Sequence, residues 1–328
     1  SILNDMSIVN DLVFGSESGD VKDILKISDI LINSKEEVNI YISEFLSKGL
    51  SYPKSRELAL NKLLHDKSPL NNTEFSKGDS TFNLNMPNNI LGIEYAKALL
   101  HLKSSIKIDT IKRISANYND IELKLDISSA TAIRLALKDI SKTTNIQSSV
   151  PPDVFKTFSN LDAYDLIDSN HFSNAILPII RRMNVEELKL IHDVSEGLEN
   201  KILYEANNNE NIFDLIEALK SKRYTRTRIQ RILFKILLNI NSSYMGFSYE
   251  LKPLYIRVLA FNDRGREILK ELRESSKLPV ITNLDRLDSY ETNIANMLKY
   301  DVRATNLYST FSNVELNSDF RKRPIYIK

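Results

Sequence analysis

Two short segments of this sequence have the make-up of an anion grip. In Ile127-Ser128-Ser129-Ala130-Thr131-Ala132-Ile133-Arg134, a hydroxyl-rich turn opens an apolar helix and an arginine follows one turn later. Ser128, Ser129 and Thr131 offer hydroxyls, and the first N–H groups of a helix have no partner within it, so both point at an anion placed there. Arg134 adds a planar charge that forks onto two phosphate oxygens and stays protonated at working pH. The plainer alternative makes Ser128 or Ser129 an ordinary N-cap and Arg134 a solvated side chain. Upstream, Pro87-Asn88-Asn89-Ile90-Leu91-Gly92 sets two amides at the start of another apolar helix. One amide is expected to cap that helix while the other faces a ligand; a pair of turn asparagines is the alternative.

Gly15 ends the apolar run Asp11-Leu12-Val13-Phe14, where the missing side chain lets a base or ribose approach the backbone, or simply permits a turn. Arg113 ends a second run from Ile106, placed either to offset charge on a phosphate or to form a surface ion pair. No Cys-His or Ser-His pattern is recognisable, so no catalytic nucleophile is assigned. Glu196 and Glu199 stand three apart at a helix start without a histidine at metal spacing, so no metal held by protein side chains is expected.

These residues need an α/β frame to position them. The order of a short strand at Asp11–Phe14, helical spacing over 21–32 and 36–50, a helix over 90–102, a strand over 106–113 and a helix over 129–140 is that of a doubly wound, Rossmann-like sheet, with ligands gathered at the carboxyl ends of strands. The polar stretch from Asp66 to Pro87 reads as a long loop, and 117–127 as a polar connection. Ser148-Ser149-Val150-Pro151-Pro152 is the expected boundary between a nucleotide-binding domain, 1–150, and a mainly α-helical domain, 151–328. In the second domain, 162–170, 174–183, 185–192, 198–206, 212–220 and 227–240 all carry helical spacing, with short strands expected at 258–261 and 278–282.

The chain has 328 residues, 42% hydrophobic and 27% charged, with a net charge of +1 and no cysteine. It is long enough for two cores. Disulfides and thiolate zinc sites are excluded, no apolar run suffices to cross a bilayer, and no leader pattern is present, so a cytoplasmic, non-membrane protein is expected. The near-neutral total hides a local asymmetry. From Ala218 to Tyr249 there is no acidic residue, whereas Lys220, Lys222, Arg223, Arg226, Arg228, Arg231 and Lys235 are basic. On the helix 227–240, Arg228, Arg231 and Lys235 share one side and the apolar residues the other, giving a cationic ridge for RNA phosphates or, as is usual for a charge run, a solvated face. Tyr224 and Tyr244 flank it and could stack on unpaired bases. Arg264, Arg266, Arg303 and the tail Arg321-Lys322-Arg323 are weaker RNA candidates, with Asp263 placed to neutralise Arg264 or Arg266.

The segments 12–20, 87–95, 111–113 and 127–134, followed by Val194 to Asn200, Lys222 to Arg231, Val258 to Gly265 and Asp301 to Thr305, come in an order that resembles the bacterial tRNA(Met) cytidine acetate ligases, members of the nucleotidyltransferase superfamily. The resemblance covers nearly the whole chain. It implies ATP as cosubstrate, with Mg²⁺ carried on it; contacts to ATP from Gly15, Asn88, Asn89, Arg113, Ser128, Ser129, Thr131 and Arg134; and tRNA contacts from Lys222, Arg223, Arg226, Arg228, Arg231 and Lys235. The implied reaction activates acetate as acetyl-adenylate and acetylates the wobble cytidine of elongator tRNA(Met).

The family's Asn-Pro-Phe-His-Asn-Gly-His loop has no counterpart here: the histidines are His65, His101, His171 and His192, and no two are three residues apart. The chain is therefore expected to lack the leading part of the nucleotide domain, to be inactive alone, and to expose apolar surface on the strands that remain. A non-catalytic RNA-binding module and a small-metabolite adenylyltransferase are the alternatives. Oligomeric state is not legible.

Overall fold

Alternating side chains build β1 (Asp11–Ser16) in the computed structural model, after one helical turn, α1 (Ile2–Asp5). The structure describes residues 1–50, 52–66, 86–114, 128–138, 146–161, 166–221, 223–285 and 287–327. Asp20 caps α2 (Val21–Asn33) by accepting from the N–H groups of Lys22 and Asp23 at 2.8 and 3.3 Å. Ile24, Ile27 and Leu31 fall on its buried face. Val38 and Ile42 repeat that pattern on α3 (Lys35–Ser47), which packs on α4 (Tyr52–Asp66) through Ala59, Leu60 and Leu63. Helix α4 was not expected from the sequence. The supposed loop that follows it, 67–85, lies outside the described residues, as does the connection 115–127.

The next helix, α5 (Pro87–His101), begins three residues earlier than its apolar pattern suggested, with Pro87 in the first turn, where a missing N–H leaves nothing unsatisfied. It packs on α2, and the buried Ser28 hydroxyl donates to the carbonyls of Ile24 and Ile93 at 2.6 and 3.2 Å. β2 (Lys107–Lys112) then runs parallel to β1, in register from Asp11 opposite Lys107 to Ser16 opposite Lys112. A parallel pair needs a crossover of this kind. Phe14 and Ile108 face the core under α2 and α5, while Val13 and Ile111 are 52% and 67% exposed.

Gly92 sets how closely α5 approaches the strand. A Cβ there would lie 2.4 Å from Phe14 Cε2 and 3.2 Å from Ile24 Cδ1. Gly92→Ala is expected to cost about 1–3 kcal/mol by overpacking. The check is a lower urea midpoint at unchanged slope; an unmoved midpoint would mean that Phe14 yields freely.

The chain divides into two compact units, Ser1–Ser159 and Asn160–Lys328. The first closes with α6 (Ala130–Leu137) and α7 (Pro152–Phe158). Pro151 and Pro152, read from the sequence as a stiff linker, instead cap and open α7, because a proline fits the first turn of a helix as well as it stops one.

The second unit is mainly helical. A 3-10 turn at Ser169–Phe172 leads into α8 (Ser173–Arg182), α9 (Val185–Leu190), α10 (Leu198–Asn208), α11 (Ile212–Leu219) and α12 (Arg226–Leu238), whose faces bury Ile176, Leu188, Ile202, Leu215, Ile232 and Leu233 in one core. At α9 a capping box fixes the start: Asn184 Oδ1 accepts from Glu187 N at 2.9 Å, and Glu187 Oε2 from Asn184 N at 2.8 Å. After α13 (Ser242–Leu251) come β3 (Ile256–Arg257), β4 (Ala260–Phe261), α14 (Asp263–Ser275), β5 (Val280–Ile281), α15 (Thr292–Ser309), α16 (Ser318–Arg321) and β6 (Ile325–Tyr326). β3 pairs with β5 and β4 with β6, both parallel, beside a smaller core of Ile281, Leu284, Ile294, Leu298 and Val302. Among the described residues no helix is long and apolar enough to cross a membrane.

Candidate functional site

The carboxyl ends of β1 and β2, the turn 16–20 and the start of α5 form one hydrogen-bonded corner, centred on a residue the sequence did not single out. The Glu17 carboxylate reaches the first turn of α5. Its Oε1 accepts from Asn88 Nδ2 at 2.7 Å and Asn88 N at 3.3 Å, and its Oε2 from Asn89 N at 2.9 Å. Neither asparagine is the cap expected of it; both lie inside the helix, and a carboxylate from the neighbouring turn does the capping, where the helix dipole favours negative charge. Burial pushes the Glu17 carboxyl up, but hydrogen bonds from the Asn88 side chain and from the N–H groups of Asn88, Glu17 and Asn89 outweigh it. The group titrates below its ordinary value. Asn89 is 1% exposed, and its Oδ1 accepts from Glu17 N and Ser18 N at 3.0 and 3.1 Å, so it locks the turn. Asn88 is half-buried, and its amide oxygen has no partner among the described residues.

Gly15 and Arg113 meet at the same corner. A Cβ on Gly15 would lie 3.4 Å from Arg113 Cγ, so the Arg113 stem takes the space expected for a base or ribose, and Arg113 N donates to Ser16 O at 2.8 Å. The Arg113 side chain is exposed, with no acidic partner among the described residues. Gly19 seals the turn: its φ is +66°, and a Cβ would lie 2.5 Å from Lys112 Cβ and 3.1 Å from Lys112 Cα.

The hydroxyl motif forms a second group at the start of α6. Ser129, 7% exposed, is the N-cap and accepts from Ala132 N at 3.0 Å, while Ser128 Oγ donates to Ser149 Oγ at 3.1 Å. Of the two, Ser129 is the N-cap, and a cap oxygen pointed at its own helix is not pointed at an anion. Half-buried Thr131 and exposed Arg134 have no side-chain partner among the described residues.

Four of the cations on and beside α12 face three carboxylates. Arg223 pairs with Glu196, Arg226 with Glu217, and Lys235 with Asp193, while Arg228 Nη2 lies 3.8 Å from Asp193 Oδ1. Arg226 and Arg228 also lie over the rings of Phe213 and Tyr224, at 4.8 and 4.7 Å. Sequence counting missed the acids because they come from α11 and the turn before α10, distant in sequence and adjacent in space. Only Arg231, of the described members of this set, is exposed and unpaired; Lys222 lies outside the described residues. Nor are the flanking tyrosines free for bases. Tyr224 is 8% exposed and donates to Ser195 O at 3.0 Å, and Tyr244 packs on Tyr300 at 3.9 Å between centroids. Arg303 is likewise engaged, donating to Leu238 O at 2.9 Å.

Known proteins share this fold. The HIGH Nucleotidyl Transferase family matches residues 1–323. A tRNA(Met) cytidine acetate ligase of Clostridium novyi is 39% identical over all of this chain and 78% of its own length, and one of Alkaliphilus metalliredigens is 41% identical over 94% of this chain and 73% of its own length. The chain belongs to the tRNA(Met) cytidine acetate ligase family. Among solved structures, Thermotoga maritima TmcAL in an apo form superposes with a TM-score of 0.86 at 32% identity, over 99% of this chain and 79% of its own. The form of that protein bound with alpha-thio ATP gives 0.81 at 31% identity, over 99% and 78%. The α/β fold expected from the sequence is that of the family.

Within this cytidine acetate ligase chain, the residue types that could have revealed Glu17 and Gly19 were present in Ser16-Glu17-Ser18-Gly19-Asp20, a turn composition straight after a strand. The partner of Glu17 lies 72 residues on, which no local pattern discloses. On the helical side, Asp193 ties α12 to the turn before α10. Burial pushes its carboxyl up, but hydrogen bonding to Lys235 and the charges of Lys235, His192 and Arg228 hold it below its ordinary value. Lys235 is only 15% exposed. Asp193→Ala leaves that ammonium without its carboxylate, with His192 Nδ1 at 2.6 Å as its remaining neighbour, and is expected to cost about 2 kcal/mol. Denaturant titration of the variant checks this; unchanged stability would mean that water replaces the carboxylate.

Proposed function

We propose that this chain supplies the nucleotide- and RNA-gripping parts of a ligase that acetylates the wobble cytidine of elongator tRNA(Met), using ATP and acetate in the cytoplasm. The observation that carries the reading is similarity along the whole chain to the tRNA(Met) cytidine acetate ligases. In the first step an oxygen of acetate attacks the α-phosphorus of ATP, and the bond from that phosphorus to the bridging oxygen breaks, releasing pyrophosphate and leaving acetyl-adenylate. In the second the exocyclic N4 of cytidine attacks the acetyl carbonyl carbon, AMP leaves with its oxygen, and N4 gives up a proton.

Neither step requires a nucleophile from the protein; both require positioning and charge compensation. Arg113 and Arg134, exposed and without acidic partners among the described residues, suit phosphate oxygens. Thr131 and the Asn88 amide are the polar groups still available to the nucleotide. Gly15, Asn89, Ser128 and Ser129 shape the backbone around it. Among the described residues no cluster of three or more His, Asp or Glu side chains is placed to hold a metal, so Mg²⁺ is proposed to arrive on the phosphates of ATP.

The test is acetate-dependent exchange of labelled pyrophosphate into ATP by the product of the complete open reading frame that encodes this chain. Exchange that appears only with acetate supports the adenylate step. ATP binding without exchange at any acetate concentration contradicts it.

A further inference from the structure

A cleft of about 650 Å³ lies between α14 and the C-terminal segment, lined by Arg266, Lys270, Arg273 and Arg323, with Glu274 as its only acid. Spacings of four and three place the three α14 cations on one side of that helix. All four side chains are exposed, and Lys270, Arg273 and Arg323 have no acidic partner among the described residues. Arg266 is 3.7 Å from Asp263 and lies over the Tyr326 ring at 5.0 Å. A second cleft of about 480 Å³ shares Thr282, Asn283, Arg323 and Pro324 with the first and adds Lys322, also exposed and without an acidic partner among the described residues. Arg257 lines it too, but is paired with Asp319. Positive charge without an acidic partner among the described residues therefore runs along two adjoining clefts.

We propose that this double cleft grips phosphodiester oxygens of the tRNA, the role the sequence had assigned to α12; the proposal rests on the tRNA reading of the preceding section. Unpaired cations in a groove with few acids concentrate a polyanion. Their arrangement favours a strand over a small anion. They are all exposed, and they are spread along a groove and do not converge on one enclosed point. Phe261 in the cleft wall and Tyr326 beside it add aromatic surface of the kind unpaired bases use.

The test titrates elongator tRNA(Met) transcript against the product of the complete reading frame by fluorescence anisotropy, over a series of KCl concentrations. The triple variant Lys270→Gln/Arg273→Gln/Arg323→Gln is expected to bind about tenfold more weakly and to lower the slope of log K against log salt by about 2, near 0.7–0.9 for each lost phosphate contact. Lys299→Gln, at an exposed lysine on α15 outside both clefts, is expected to change neither. Thermal midpoints of the variants, expected to match the parent because the side chains are exposed, exclude unfolding as the cause. A triple variant with parental affinity and slope overturns the proposal. So does one that keeps tRNA but loses inorganic pyrophosphate, titrated in parallel, since the cleft would then be a small-anion site. If the unaltered protein does not bind the tRNA, the ligase reading itself fails, and that result is distinct from both.

Discussion

Alanine at Arg134 or at Arg113 is expected to slow acetyl-adenylate formation by about 10²–10³-fold, the range for removal of one charge-stabilising group from a reacting centre. Arg113 directly follows β2 and Arg134 stands on the second turn of α6. Both are exposed and unpaired among the described residues, so their removal breaks no structural contact and stability should hold. Negative charge accumulates on pyrophosphate as the α-phosphorus bond breaks, and a guanidinium fixed there stabilises that state more than bound ATP. Lysine should restore only part of the rate, since an ammonium is a point charge without the fork. Pyrophosphate exchange measures the effect. An alanine variant that raises KM for ATP at unchanged kcat would show a binding role alone.

The second large effect is structural. Asn89→Leu leaves the N–H groups of Glu17 and Ser18 without their acceptor inside the corner, at about 1–3 kcal/mol for each donor left unsatisfied. A total near 3 kcal/mol is a large share of a domain's stability. Glu17→Gln probes the other half of the exchange, replacing a carboxylate that receives three N–H bonds by an amide that can accept with one oxygen only. The pH response follows from the sign of the Glu17 shift. Its folded carboxyl titrates below the ordinary 4.5, so its contribution is complete above that value and is lost as pH falls through the folded value. Acid titration of the parent should include this loss, and the Gln variant should lack it. Identical acid profiles would remove Glu17 from the account.

The framework of this corner was legible in the sequence because it depends on near neighbours. Alternation marked β1 and β2, and three- and four-residue spacing marked α2, α5 and α12. What could not be read was reciprocity at a distance. Asn88 and Asn89 were visible as amides near a helix start, but the group that caps the helix, Glu17, sits on another turn. Ser129 was visible as both anion donor and N-cap, and local geometry decided for the cap. The acids facing α12 were missed for the same reason: Asp193, Glu196 and Glu217 lie outside the acid-free window, yet fold against it. Charge along a chain is not charge on a surface. Lys270, Arg273 and Arg323 show the converse, since acids interleave with the first two in sequence while the cleft retains their positive charge.

Transfer of acetate to tRNA is read directly by nucleoside mass spectrometry. Elongator tRNA(Met) is incubated with the product of the complete reading frame, ATP, Mg²⁺ and ¹³C-labelled acetate, then digested to nucleosides. The account predicts labelled N4-acetylcytidine that requires ATP and is absent from a tRNA whose wobble base is changed to uridine. Tight tRNA binding with no label in cytidine, while acetate and ATP are both consumed or both untouched, would contradict it.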